Sequence, residues 1–258
     1  MDARHLPARH GALWLLAGFA LFRRHPPLMT ALTFGYLLTV IVVNLIPKIG
    51  PFLLPVLLPT LTVMLANGCR AIERGQTFSS ETLSIGISAQ RVGLARLGGL
   101  HLVGSSLLVL GGFALGDPVN ISDGLDPTEA VALATDLAII LVMASPLLMA
   151  FWFAPLLTAW DGVGAGKSLF FSFVASWRNW RAFAMYGLAL VLVGAVLPGL
   201  ILIIAGLISP ALLTVLSIAL RMLLLFVLAP AMVGSVYLSY RDVFATPDMP
   251  PAPPLPDE

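Results

Sequence analysis

Two ionisable residues beside apolar segments are the strongest candidates for chemistry in this sequence. Asp136 lies about 36 Å of helix before Trp160, and Arg221 lies about 30 Å before Arg241, at a rise of about 1.5 Å per residue. Their expected depths in a membrane are therefore similar, and the two can pair. An ionisable group inside a membrane is a functional hypothesis by default, whereas one at a span end can extend to the interface. A functional pair and structural or interfacial roles both stay open.

A glycine-rich segment, Asp161–Ser168, reads DGVGAGKS and has the look of a phosphate-binding loop. The full pattern requires glycine where Asp161 stands and a β-strand before the loop, whereas here an apolar span precedes it. We therefore expect a flexible glycine hinge at a helix end. Nucleotide binding is not expected.

No metal, cofactor or catalytic site is indicated by the remaining polar residues. His101 has no second histidine, cysteine or carboxylate at metal-ligand spacing, and we expect it to pack or to lie at the membrane interface. Cys69 is the single cysteine, which excludes an intrachain disulfide. No nucleophile, base and ligand set converges, so we expect no enzyme activity. Asn44 and Asn67 are expected to form hydrogen bonds between helices.

The composition indicates that most of the protein surface faces lipid and not water. Of the 258 residues, 59% are hydrophobic and 10% are charged, whereas about 25% are charged in a typical soluble domain. A soluble protein needs a charged surface, but a membrane protein has lipid around most of its outer face. The net charge of +1 gives no general attraction to nucleic acid.

Six apolar runs are long enough to cross a membrane, and each must be helical because lipid offers the backbone no hydrogen bonds. The predicted fold is an all-α bundle of six transmembrane helices in one domain, residues 1–241. Residues 11–24 are predicted to form an interfacial helix with Trp14, Phe19 and Phe22 as anchors, and the proline-rich residues 242–258 a disordered cytoplasmic tail. The predicted spans are about 28–46, 50–68, 97–116, 137–159, 182–201 and 222–240.

The distribution of basic residues predicts the orientation. The N-terminal segment and the connections after the second, fourth and sixth spans carry arginine or lysine, whereas the loop Asp117–Glu129 carries acids and no base. Cytoplasmic connections are the basic ones, so both termini are predicted to be cytoplasmic. The apolar stretch Leu202–Leu220 exceeds two spans. It either extends two long tilted helices or forms a re-entrant hairpin around Ser209.

The chain reads as three similar units, each a helical hairpin preceded by a short segment that ends in arginine. In each unit the returning span carries a proline 11 or 12 residues before a base. The alternative is that hydrophobic hairpins with basic connections resemble one another by necessity. The proline and base pairs are Pro59 with Arg70, Pro155 with Lys167, and Pro230 with Arg241.

Small residues predict where helices approach closely. Gly112 and Gly116 form a G-x-x-x-G motif, which lets two helix backbones come into contact. Packing inside the bundle is the ordinary interpretation. Contact with a second copy of the chain, or a lined groove, is the alternative.

A set of mostly structural residues in the first part of the chain carries a family resemblance. They are Trp14, Gly18, Leu21, Phe22, Arg23, Pro26, Ile46, Pro47, Gly50, Pro59, Gly68, Cys69, Arg70 and Gly75. Over residues 11–75 the chain resembles uncharacterised six-helix inner-membrane proteins of proteobacteria. The three-hairpin plan is also similar to membrane domains attached to some glycerophosphodiester phosphodiesterases. The first resemblance implies a bacterial inner-membrane protein and no catalytic residue. This chain has no soluble phosphodiesterase domain, so that activity is not implied.

Two functions fit these observations. One is a membrane-embedded protein that binds or carries a lipid-like or small apolar molecule, because the chain combines basic interfacial segments with aligned glycines. The other is a structural or assembly partner of another membrane protein, without transport or catalysis, because ionisable groups are scarce. The expected partners are the lipid bilayer and, in the second case, a membrane protein or another copy of the chain.

Overall fold

The chain folds as a bundle of helices. The computed structural model describes residues 3–113 and 127–244, and within these ranges it contains helices and no strand. Six helical segments in these ranges are long and apolar enough to cross a membrane, so the predicted all-α fold with six spans is confirmed. The helices are α1 (Arg9–Arg24), α2 (Pro26–Asn44), α3 (Gly50–Glu73), α4 (Ser80–Leu83), α5 (Arg91–Phe113), α6 (Pro127–Asp161), α7 (Ala165–Arg178), α8 (Trp180–Val191), α9 (Leu197–Ile208), α10 (Pro210–Leu223) and α11 (Ala229–Val243).

The spans pair into three hairpins. Hairpin 1 is α2 with α3, hairpin 2 is α5 with α6, and hairpin 3 is α8 and α9 with α10 and α11. We call the end of the bundle that carries Arg24, Arg70 and Arg241 the basic end. The opposite end, with the turn of hairpin 3 at Ser209, is the far end.

The structure of hairpin 3 shows whether the apolar stretch Leu202–Leu220 extends two helices or forms a re-entrant hairpin. Its spans contain 29 and 34 residues, about 44 and 51 Å of helix, whereas the hydrocarbon core is about 30 Å thick. They meet at Ser209, whose extended backbone ends one helix and whose hydroxyl accepts a hydrogen bond from the Leu212 N–H. The stretch therefore extends two long helices. The predicted start of the sixth span, at residue 222, was too late because Arg221 interrupts the hydropathy and not the helix.

Two π-helical turns divide hairpin 3. Leu192–Val196 joins α8 to α9, and Leu224–Leu228 joins α10 to α11. Each turn lies just before a proline, Pro198 or Pro230, which has no N–H to offer to the preceding turn. The wider π turn accommodates the missing donor within a continuous span.

Helix α1 packs against hairpin 3. A Cβ on Gly11 would lie 1.9 Å from the Ala182 carbonyl oxygen, and one on Gly18 would lie 2.2 Å from that of Ala231. These glycines therefore let helix backbones touch. The predicted helix exists, but two of its three predicted lipid anchors are enclosed in protein, because Trp14 is 1% exposed and Phe22 is buried. For these two rings the anchor prediction was wrong because the close contact at the two glycines buries them, whereas the third predicted anchor, Phe19, is exposed.

Helix α7 packs a serine face against α6 and exposes aromatic rings. Ser172 is buried, and its hydroxyl accepts from the Phe153 N–H (2.9 Å) and donates to the Met149 carbonyl (2.7 Å). In a regular helix the Phe153 N–H donates directly to the Met149 carbonyl. Here the Ser172 hydroxyl bridges these two backbone groups of α6. Phe170 and Trp177 lie on the exposed face of α7.

Each short connecting segment packs on the returning span of one hairpin, which is the preceding hairpin for α4 and α7 and the last hairpin of the chain for α1. Helix α4 contacts α3, α7 contacts α6, and α1 contacts α11. Equivalent segments thus occupy equivalent places around the bundle. A repeat in the sequence itself stays a prediction.

Helix α11 continues past the predicted end of the domain at residue 241. Asp242 and Val243 belong to α11, and Val243 is buried in the core. The predicted tail boundary was therefore too early. Residues 245–258 lie outside the described residues.

Candidate functional site

The large buried side chains concentrate at the basic end. Aromatic and aliphatic residues from α1, α5, α6 and α11 meet there in one core. At the tip of hairpin 1 a Cβ on Gly50 would lie 2.1 Å from the Val43 carbonyl oxygen, so α2 and α3 approach closely there. The core residues with exposure of 1% or less include Trp14, Leu94, Leu97, Phe153, Leu157 and Leu238.

A buried ionic cluster lies inside this core. It consists of Glu73, Tyr237, Arg241 and Asp242. The Arg241 side chain is 3% exposed and pairs with the Glu73 carboxylate and with Asp242 Oδ1 at 3.1 Å. The Tyr237 hydroxyl donates to Glu73 Oε2 at 2.5 Å. A buried arginine is stable in this setting because carboxylates compensate its charge and accept its hydrogen bonds.

The ionic cluster joins separate parts of the fold. Glu73 ends α3 of hairpin 1, whereas Arg241 lies on α11 of hairpin 3. The Trp14 indole N–H donates to Asp242 Oδ2 at 3.0 Å, which attaches α1. Hairpin 2 is tied nearby through a hydrogen bond from the Tyr240 hydroxyl to Asp161, the last residue of α6. The returning spans of all three hairpins are thus held together at the basic end.

A second polar group surrounds Asn67 on α3. The Asn67 amide donates to the Leu83 and Ile85 carbonyls (2.8 and 2.9 Å) and accepts from the Trp160 indole N–H (2.9 Å). The Arg70 guanidinium lies 5.2 Å from the centre of the Trp160 ring, a cation–π distance. The predicted interhelical role of Asn67 is therefore confirmed. Asn44 instead donates to Val40 on its own helix.

His101 lies next to a position in α3 where a helical hydrogen bond is missing. Pro59 has no N–H, so the Pro55 carbonyl lacks its usual helical donor. His101 Nδ1 lies 3.2 Å from that oxygen, and its ring packs edge-on against Phe151 with centroids 4.6 Å apart. Because a carbonyl oxygen accepts, Nδ1 carries the proton. The expected packing role of His101 is therefore what the structure supports.

The two polar groups have the hydrogen-bonding pattern of structural networks. The ionic cluster satisfies its members with one another, which is typical of a structural network. In the described ranges, no three His, Cys, Asp or Glu side chains are grouped to hold a metal ion. That the protein has no cofactor and is no enzyme stays a prediction.

The two candidate ionisable residues lie on different helices. Asp136 is half-buried on α6, and Arg221 is exposed on α10. Among the residues that the structure describes, both ion pairs involve Arg241, so no ion pair joins Asp136 to Arg221. The structure does not bring the predicted pair together. Whether either residue acts in function stays a prediction.

The close helix contacts in the structure occur at other glycines than the predicted Gly112 and Gly116. No described atom lies within 4 Å of a Cβ placed on Gly112, so it makes no close helix contact among those residues. Gly116 lies outside the described residues. The close contacts occur instead at Gly11, Gly18 and Gly98, where a Cβ on Gly98 would lie 2.3 Å from the Val56 carbonyl oxygen.

The sequence contained partial signals for the residues that were missed. Glu73 and Arg241 each stand at the end of a long apolar run, which is where a buried ion pair can close a bundle. Gly11 and Gly18 are seven residues apart, on one helix face. Nothing in the sequence indicates which acid pairs with which base, because the partners are 168 residues apart.

The comparisons with known proteins agree with a location in the inner membrane. The chain is 37% identical over 204 residues to a protein of Burkholderia thailandensis described as a probable inner membrane protein. The match covers 73% of this chain and 74% of that relative. No family model matches the chain. No solved structure gives a significant match.

Proposed function

This chain belongs to the same inner-membrane protein family as the Burkholderia thailandensis relative, and from that premise we propose that it binds a lipid-like molecule between or along its hairpins. It is a multi-pass protein of the inner membrane. The observation that supports the proposal is the contrast between its two ends. Large side chains are buried at the basic end, whereas apolar residues nearer the far end, such as Leu107, Leu207 and Val215, are exposed.

The ionic cluster explains why the two ends differ. It holds the returning spans together at the basic end, so the far halves need not pack tightly for the fold to persist. The far part of hairpin 3 begins at the two π turns, and there α9 and α10 pack mainly against each other. Leu207, near its tip, is 84% exposed. Such apolar surfaces in a membrane suit an acyl chain or another apolar molecule.

An assembly role is the second candidate. It is favoured by Gly112, whose open surroundings leave room for a helix of another protein or of a second copy. In that case the far part of hairpin 3 would be covered by protein and not by lipid.

Native mass spectrometry distinguishes the two functions. The proposal predicts that the protein released from detergent micelles retains a lipid-sized mass. Arg221→Ala and Asp136→Asn test whether these residues hold it, with Arg74→Ala as control because Arg74 is an exposed base at the basic end. A protein released without bound lipid would contradict the proposal. A stoichiometric protein partner that Gly112→Leu removes would support assembly instead.

We also propose that both termini are cytoplasmic, which places the basic end in the cytoplasm. The basic residues of the connecting segments support this orientation. Reporter fusions at Arg91 and Asp123 test it. Cytoplasmic reporter activity at Arg91 and periplasmic activity at Asp123 are expected, and the same compartment for both sites would refute the orientation.

A further inference from the structure

An open depression lies between α5 and α7 at the basic end. Its volume is about 750 Å³, and it is open to the surroundings over most of its surface. One wall comes from α5 and carries Arg96, and the other comes from the start of α7 and carries Lys167. Both side chains are exposed. In the part of the chain that the structure describes, no ion pair joins either base to an acid.

Glycines keep this depression open. Gly99 on α5, and Gly164 and Gly166 at the start of α7, line its floor and edge. A Cβ on any of the three would meet no described atom within 4 Å. The segment that looked like a phosphate-binding loop therefore supplies a concave wall beside Lys167. No side chain caps the first turn of α7, and that turn contains no acidic residue. The nearest acid before it, Asp161, accepts a hydrogen bond from the Tyr240 hydroxyl.

The apolar wall of the depression continues along the membrane-facing surface of α5. Leu100 and Val103 line it, and Leu107 and Leu110 follow on the same helix face. All four are exposed. From Arg96 to Leu110 this face extends about 21 Å, which exceeds half of a hydrocarbon core about 30 Å thick. A charged end and an apolar track of this length match the shape of one phospholipid in the leaflet at the basic end.

We propose that the depression between α5 and α7 binds the headgroup of an anionic phospholipid, with Arg96 and Lys167 on its phosphate and an acyl chain along Leu100, Val103 and Leu107. This assignment rests on the proposed lipid-binding function and names its ligand class. The two bases come from different helices and face the same depression, and an anionic headgroup compensates both. A zwitterionic lipid carries the same phosphate, but the cation of its own headgroup offsets that charge, so it compensates the two bases less.

Competition between two lipids tests the assignment. The purified full-length protein is equilibrated in detergent with equal amounts of phosphatidylglycerol and phosphatidylcholine that carry the same acyl chains, and bound lipid is counted by native mass spectrometry. Each base contributes about a fivefold preference for the anionic lipid. Wild type is therefore expected to prefer phosphatidylglycerol by about 25-fold, and Arg96→Ala with Lys167→Ala to bind both lipids equally.

Matched variants separate this site from general surface charge. Arg178→Ala removes an exposed base from the other end of α7 and is expected to leave the preference within about twofold. Arg96→Lys keeps the charge and is expected to keep the preference. Gly99→Leu adds a side chain whose Cβ meets no described atom within 4 Å. This variant is expected to lower binding of both lipids, while the thermal unfolding temperature is maintained.

The outcomes distinguish this assignment from the proposed function. Bound lipid without a preference, or a preference that the double variant retains, overturns the headgroup site and leaves lipid binding intact. Loss of the preference in Arg178→Ala overturns it as well. Displacement of the lipid by millimolar inorganic phosphate would show that a free anion and not a lipid occupies the depression. Absence of any bound lipid contradicts the proposed function itself.

Discussion

The ionic cluster predicts a large effect from one substitution at the basic end. Glu73→Ala removes the carboxylate that accepts hydrogen bonds from both Arg241 and Tyr237. The two partners of the ion pair are 8% and 3% exposed, and removal of one member of a buried pair costs about 3–5 kcal/mol. Because Asp242 still compensates Arg241, we expect the low end of that range, about 3 kcal/mol, or roughly a hundredfold in the unfolding equilibrium.

Reversible unfolding in mixed micelles measures this effect. The protein in dodecyl maltoside is titrated with sodium dodecyl sulfate while tryptophan fluorescence is recorded, since Trp14 and Trp160 lie beside the polar groups of the basic end. Glu81→Ala is the matched control because Glu81 is exposed, and we expect it to leave unfolding unchanged.

A double variant distinguishes the cost of leaving a buried charge without its partner from the cost of losing the Glu73 side chain. Glu73→Leu with Arg241→Met replaces both charges by apolar groups, which often costs little at a buried site. We expect the double variant to be more stable than Glu73→Ala. A Glu73→Ala protein that unfolds like the Glu81→Ala control would refute the reasoning, because the cluster would then not hold the basic end together.

Three further substitutions test individual contacts by the same unfolding assay. Trp14→Phe keeps a ring in the core and removes the hydrogen bond to the Asp242 carboxylate, for an expected loss of about 1.5–3 kcal/mol. Unchanged stability would contradict this expectation. Gly18→Ala places a Cβ 2.2 Å from a backbone oxygen and should lower the free energy of unfolding by about 1–3 kcal/mol. Gly112→Ala is the control: its Cβ meets no described atom within 4 Å, so the substitution should leave stability unchanged or raise it. Equal effects of the two substitutions would refute the close contact at Gly18. His101→Phe keeps a ring in place but leaves the Pro55 carbonyl without its donor, for a loss of about 1–3 kcal/mol.

The fold class followed from the sequence because lipid permits few structures. Long apolar runs must be helical, and their number gave the six spans. Span ends were less predictable, since hydropathy reports the surroundings of a segment and not where its backbone hydrogen bonds stop. The stretch beyond Ile201 shows this, because α9 and α10 continue as helices on both sides of Ser209.

The polar groups at the basic end could not be assembled from the sequence. The composition pointed to ionisable residues near the far end, Asp136 and Arg221, because these interrupt or open apolar runs. The buried ion pair joins residues from the ends of two spans, and nothing local indicates that Glu73 faces Arg241. Trp14 was predicted to anchor the helix in lipid, because a helix with aromatic side chains fits the membrane interface as well as it fits a protein core. Its burial depends on the glycines that admit α1 to hairpin 3.

Photocrosslinking with a phospholipid that carries a diazirine in its acyl chain tests the central claim most directly. The account holds that the basic end is closed by protein while the far halves of the hairpins face lipid. Peptide mapping should find lipid adducts at exposed far-half residues such as Leu107 and Leu207, and none at the buried residues Leu97 and Leu238. Adducts at Leu97 and Leu238 with none at Leu107 and Leu207 would contradict the account.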